Sequence, residues 1–213
     1  MRKIFYVLTL IVFSITSGAY AQIEAGSLFI GGNLGVSSGS SKSLNGSVTV
    51  DGPKTTSISV VPTVGYFLGS KLSVGAGVGL EYDKIKSTVA GVDSEATASL
   101  IIFRPNAKYF HSFTDNFYGF VEAGIGLGSG SSKSSAGGVT ADGPKISNIS
   151  VYIAPGLTLF PTEKIGVDFR LNLINYYRNK STDPTDSSIK DISSGVNFGL
   201  NTLSPSVGIY YFL

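Results

Sequence analysis

Cysteine is absent from the 213 residues, and histidine occurs once, as His111. The first absence excludes disulfides and thiolate metal sites; the second leaves histidine-dependent catalysis a single place to act. Charge is scarce too: Asp, Glu, Lys and Arg make up 14% of the chain, against 42% hydrophobic residues and a mean hydropathy of +0.25. Such a chain is either membrane-embedded or built around an unusually large core. Past the N-terminus no apolar run approaches the roughly 20 residues that a spanning helix needs. If this chain enters a membrane, it enters as strands.

At the N-terminus, Arg2 and Lys3 precede the apolar run Ile4–Ile15, and small residues follow, ending Ala19-Tyr20-Ala21. The pattern predicts a secretory signal peptide over 1–21, cleaved to leave a mature chain of 22–213. Cleavage removes two of the 16 basic residues and none of the 14 acidic ones, so the mature chain is expected to be neutral. No basic patch suited to nucleic acid survives.

Glycine is abundant, at 27 residues. In KLSVGAGVGLEY, residues 71–82, Leu72, Val74, Ala76, Val78, Leu80 and Tyr82 alternate with Ser73, Gly75, Gly77, Gly79 and Glu81. A period of two marks a strand with two unlike faces. Glycine suits neither a solvated surface nor a bulky core, and it fits the inside of a narrow barrel whose apolar face looks at lipid.

The same period predicts strands near 26–37, 57–68, 71–86, 96–110, 116–129, 148–160, 165–179 and 195–213. Long polar connections, 38–56, 87–95, 130–147 and 180–194, alternate with the tight turns 69–70, 111–115 and 161–164. The fold class expected is all-β, an eight-stranded antiparallel up-and-down transmembrane β-barrel, its long loops outside the cell. An internal repeat crosses it: SGSSKS at 38–43 returns at 129–134, and VTVDGPK at 48–54 returns as VTADGPK at 139–145. Both DGP segments read as turns, and the set Asp183, Asp186 and Asp191 is too loosely spaced for a calcium loop.

Strand phase places Glu81, Asp83, Arg104, Lys108, Glu122, Asp168 and Arg170 in the lumen. Buried charges need partners, and Arg104 is expected to bridge Glu81 and Glu122. Bulky inward Phe67, Tyr118, Phe120, Tyr152 and Phe160 argue against an open pore. Aromatic residues beside the short turns, among them Tyr66, Phe67, Tyr109, Phe110, Phe160, Tyr210, Tyr211 and Phe212, read as an interfacial girdle. Prolines 62, 105, 155 and 205 fall within strands that would normally resist them.

VPTVGYFLGSKLSVGAGVGLEY, FRPNAKYF and NFYGFVEAGIGLG resemble the outer-membrane β-barrel domain family, small porin-like barrels of OmpA- and OmpX-like architecture. The resemblance implies residence in the outer membrane of a Gram-negative bacterium, contact with its lipid, and no cofactor. The ending SPSVGIYYFL resembles the signal read by the barrel-assembly machinery, with Phe212 penultimate where a final Phe is usual. Some small barrels of this kind are enzymes with a His near the outer leaflet; His111 falls at the opposite end, so no enzyme is expected. The expected role is a monomeric anchor displaying loops to an unknown partner, with a passive channel as the alternative.

Overall fold

Alternating side chains give ten strand segments in the computed structural model, which describes residues 23–45, 48–89, 92–199 and 206–213. They are β1 (Leu28–Asn45), β2 (Val48–Phe67), β3 (Leu72–Val89), β4 (Val92–Thr114), β5 (Phe117–Ala136), β6 (Val139–Leu159), β7 (Ile165–Arg170), β8 (Ile174–Thr182), β9 (Lys190–Phe198) and β10 (Ser206–Phe212). Residues 1–21, expected to form a signal peptide, and Pro205 lie outside the described residues.

All pairings are antiparallel, and the sheet closes into a ring of eight strands. β1 to β6 pair in sequence. β6 then pairs with β7 through Gly156–Leu159 and with β8 through Lys145–Ile153, so β7 and β8 form one barrel strand. β9 follows β8 and β10 follows β7 in the same way, and β10 returns to β1 with Phe29 opposite Phe212 and Leu34 opposite Val207.

Proline explains the interruptions. Lacking an N–H, it cannot complete a ladder on both sides. The β2–β3 ladder steps from Val60–Leu80 to Thr63–Gly77 across Pro62, and the β4–β5 ladder from Phe103–Leu127 to Asn106–Gly124 across Pro105. Opposite Pro155 the β7–β8 strand breaks. There the Leu171 and Leu173 N–H groups donate to the carbonyls of Pro155 and Ile153, at 3.0 and 3.1 Å.

Three of the expected long loops are not loops. The ladders continue to Asn45–Val48, Val89–Val92 and Ala136–Val139. Serine and glycine look like linker on the sequence, but Val, Thr and Ile occur among them, and each segment finds a partner strand that satisfies its backbone. At the β5–β6 tip Gly137 and Gly138 have φ of 56° and 84°, the pair of left-handed residues a two-residue hairpin turn requires. Only the fourth connection, 183–189, stays outside the strands.

Neither DGP is a turn. In β2, Gly52 and Pro53 face Ser41 alone, between the pairs Ser40–Lys54 and Lys42–Asp51. In β6, Gly143 and Pro144 face Ser132 alone, between Ser131–Lys145 and Lys133–Asp142. The internal repeat thus builds the same two-against-one bulge twice, which places a proline where no ladder bond is lost.

Outward positions carry the apolar belt: Ile30, Leu34, Val60, Val64, Val78, Leu80, Ile101 and Ile125 are all exposed. Inward glycines serve a specific purpose. Gly65 stands opposite Phe29, Gly156 opposite Phe120, Gly124 opposite Tyr152 and Gly31 opposite Tyr210. In each pair the ring lies over the glycine, and a Cβ on Gly124 would come within 2.5 Å of the Tyr152 hydroxyl.

Replacing Gly156 with Ala drives a methyl into the Phe120 ring and the Phe169 carbonyl. The expected cost is about 1–3 kcal/mol in urea unfolding of the refolded barrel. Gly69→Ala, at a turn glycine with open space around it, should stay within about 0.5 kcal/mol.

Candidate functional site

The lumen is filled in two layers. At the end with the short turns, Phe29, Phe67, Phe110, Phe120, Phe160 and Tyr210 form one buried cluster with Ile23, and Tyr118 and Phe212 pack against it. Ring centroids lie 5.0 Å apart for Phe160–Phe212 and 5.5 Å for Phe67–Phe110, within the range of favourable offset contact. The expected girdle is therefore divided. Tyr66, Tyr109, Phe113 and Tyr211 do face outward, but Phe67, Phe110, Phe160 and Tyr210 close the mouth from inside. Strand phase alternates strictly, so neighbouring aromatic residues such as Tyr66 and Phe67 cannot share a face.

Above this layer lies a charge cluster. Lys108 of β4 places its Nζ 2.5 Å from Asp168 Oδ2 of β7 and 3.4 Å from Glu122 Oε2 of β5. Arg170 Nη1 lies 2.7 Å from Glu122 Oε1, which also accepts the Tyr152 hydroxyl at 2.7 Å. Asp168 accepts the Thr158 hydroxyl at 2.7 Å, and Arg170 Nε donates to Ser206 Oγ at 3.2 Å. The ammonium of Lys108 sits between the Phe120 and Tyr210 rings, at 4.7 and 4.5 Å from their centroids. Two cations and two anions thus neutralise one another, with hydrogen bonds to their remaining atoms, the condition for keeping charge in a dry interior. Because β4 and β7 are not neighbours, the Lys108–Asp168 pair spans the lumen.

Arg104 pairs with Glu81 at 3.3 Å but does not bridge to Glu122, whose cations are Lys108 and Arg170. The reason is register: Arg104 is opposite Gly77, while Lys108 is directly opposite Glu122. Asp83 is exposed and makes no ion pair among the described residues. Thr158, Ser206 and Phe29 escaped the sequence reading; Phe29 stands in the unbroken apolar run Leu28–Ile30, where period two is invisible. His111 is exposed in β4, beside Phe113.

Residues 5–201 match the family model described as "Outer membrane protein beta-barrel domain". The chain belongs to that family. Among solved structures, this outer-membrane barrel is similar to the outer membrane protein OprG from Pseudomonas aeruginosa. Identity is 14% and the TM-score 0.51, over 92% of this chain and 99% of that one. It is also similar to Neisserial surface protein A, at 14% identity and a TM-score of 0.41 over 86% and 96%. The attachment invasion locus protein Ail of Yersinia pestis gives 14% and 0.37 over 89% and 99%. These likenesses concern the fold. No curated protein matches.

The two ion-pair systems of the lumen should respond differently to mutation. Lys108→Met leaves Glu122 and Asp168, both buried, short of a cation, and should cost about 3–5 kcal/mol. In the Arg104–Glu81 pair the side chains are 19% and 36% exposed, so Arg104→Met should cost about 1 kcal/mol or less. Thermal midpoints from heat-modifiability gels rank the two; equal losses would refute the assignment.

Proposed function

We propose that the protein is a non-enzymatic, monomeric anchor whose barrel holds rigid hairpins outside the cell for contact with a partner. The observation that carries this reading is the continuation of paired strands beyond the apolar belt. On β5 the ladder runs eight residues past Gly128, to Ala136, about 25 Å at strand rise. A projecting sheet costs its partner less ordering than a floppy loop. It also offers backbone: among the described residues β9 pairs only with β8, and β1 beyond Leu34 only with β2, so both present free edges to an extended peptide. Export through a signal peptide, and assembly by recognition of Ser206–Leu213, belong to the same proposal.

The filled lumen weighs against a passive channel. The test pairs two measurements. Replacing residues 40–54 and 132–144 each with Asn-Gly keeps the ladders below intact, and should leave a folded barrel while abolishing adhesion of expressing cells to their partner surface; unchanged adhesion sinks the reading. Refolded mature protein should be silent in planar bilayers, whereas steady unitary conductance would favour the channel.

The remaining loop has its own pH signature. Asp183 accepts the N–H groups of Thr185 and Asp186, and Asp186 accepts the hydroxyl and N–H of Ser188. These bonds, to the Asp186 N–H for Asp183 and to the Ser188 hydroxyl for Asp186 foremost, hold both carboxyls below their ordinary 3.8. A depressed carboxyl contributes order above its unfolded value and loses it as pH falls through the folded one. Amide protection factors at Thr185 and Ser188, taken relative to intrinsic exchange at each pH, should therefore be level from pH 5 to 8 and fall only below about 3.8.

A further inference from the structure

The repeated DGPK carries a lysine in each half, Lys54 and Lys145, and both stand just past the bulge on the outward phase of their strands. On the strand beside each, two more basic residues follow the same outward phase: Lys84 and Lys86 on β3, Arg178 and Lys180 on β8. The duplication therefore sets a basic triad twice, directly above the lipid-facing belt. Its two copies differ in their neighbours. Glu95 of β4 lies 2.6 Å from Lys84 and 3.5 Å from Lys86. Around Lys145, Arg178 and Lys180 no carboxylate stands opposite: their ladder partners are Ser131 and Thr182, Ser194 and Ile149, Ile192 and Ser147. Among the described residues these three cations make no ion pair.

We propose that Lys145, Arg178 and Lys180 bind the phosphate groups of an outer-leaflet lipid. Below the triad, on the same outward face, come exposed Tyr176, then Val196 and Phe198 on the adjacent strand, the last 79% exposed. Cations over apolar and aromatic side chains match an amphiphile with phosphate at its head and acyl chains beneath it. A free phosphate ion would use only the upper half of this surface. The guanidinium of Arg178 adds a fork suited to two phosphate oxygens. The proposal rests on the reading that the extended end of the barrel faces outside.

The test uses mature protein refolded in an uncharged glucoside detergent and titrated with bisphosphorylated lipid A, with occupancy read by native mass spectrometry. Wild type should bind, and K145Q/R178Q/K180Q should bind about 100-fold more weakly. K54Q/K84Q/K86Q should change affinity less, because Glu95 already neutralises much of that triad. If the triple variant fails to refold, R178Q alone serves, with a loss of about 10-fold. Equal affinity of wild type and variant overturns the proposal. So does equal binding of the dephosphorylated lipid, and competition by inorganic phosphate at the lipid's own concentration would assign the site to free phosphate instead. Because this assay uses purified protein, its failure is separate from a failure of hairpin display on cells.

Discussion

Everything in this fold follows from the requirement that no strand edge face lipid. Backbone N–H and C=O groups have no water to turn to in hydrocarbon, so the sheet must return upon itself, and β10 meets β1 over six residue pairs to do so. With eight strands, closure leaves an interior only wide enough for side chains. That narrowness requires one ring to lie over one glycine across a ladder, as at Phe29–Gly65 and Phe120–Gly156, and it brings Lys108 within reach of Asp168 on a strand three places away. Among the described residues, β1 beyond Leu34 pairs only with β2, and β9 only with β8.

The parts of this architecture written in a single strand were legible beforehand. Alternation in 71–82 assigns a face to every residue, and the inward charges and the identity of the belt follow. Features written between strands were not. Which ring covers which glycine, and whether Arg104 or Lys108 meets Glu122, depends on register, and a shift of one residue exchanges faces. The hairpins above the belt were misread for another reason. Serine and glycine lower strand propensity, but propensity yields to a partner strand, and SGSSKS acquires one in DGPK-containing β2 and again in β6.

Duplication left its mark at several levels. Pro62 and Pro155 occupy corresponding places, yet the first is bypassed with two skipped pairs while the second splits the facing strand into β7 and β8. The bulges survive in both halves almost unchanged, and a Cβ on Gly52 or Gly143 would meet the same atoms of Ser41 or Ser132. The lumen, by contrast, joins the halves: the four-membered charge cluster ties Lys108 of β4, in the first, to Glu122, Asp168 and Arg170 of β5 and β7, in the second.

The contacts that complete the ring join residues far apart along the chain. Asn33 donates to the Tyr210 hydroxyl across 177 positions, and Lys108 reaches Asp168 across 60. Such contacts give nothing until the strands between them are in place, so the entropy of ordering them must be met before closure rewards it. The last strand thus acts as the latch: without residues 206–212 the sheet has open edges on β1 and β7, and Asn33 loses its bond to Tyr210. Pairing of β10 with both β1 and β7, and not any earlier hairpin, is what closes this sheet.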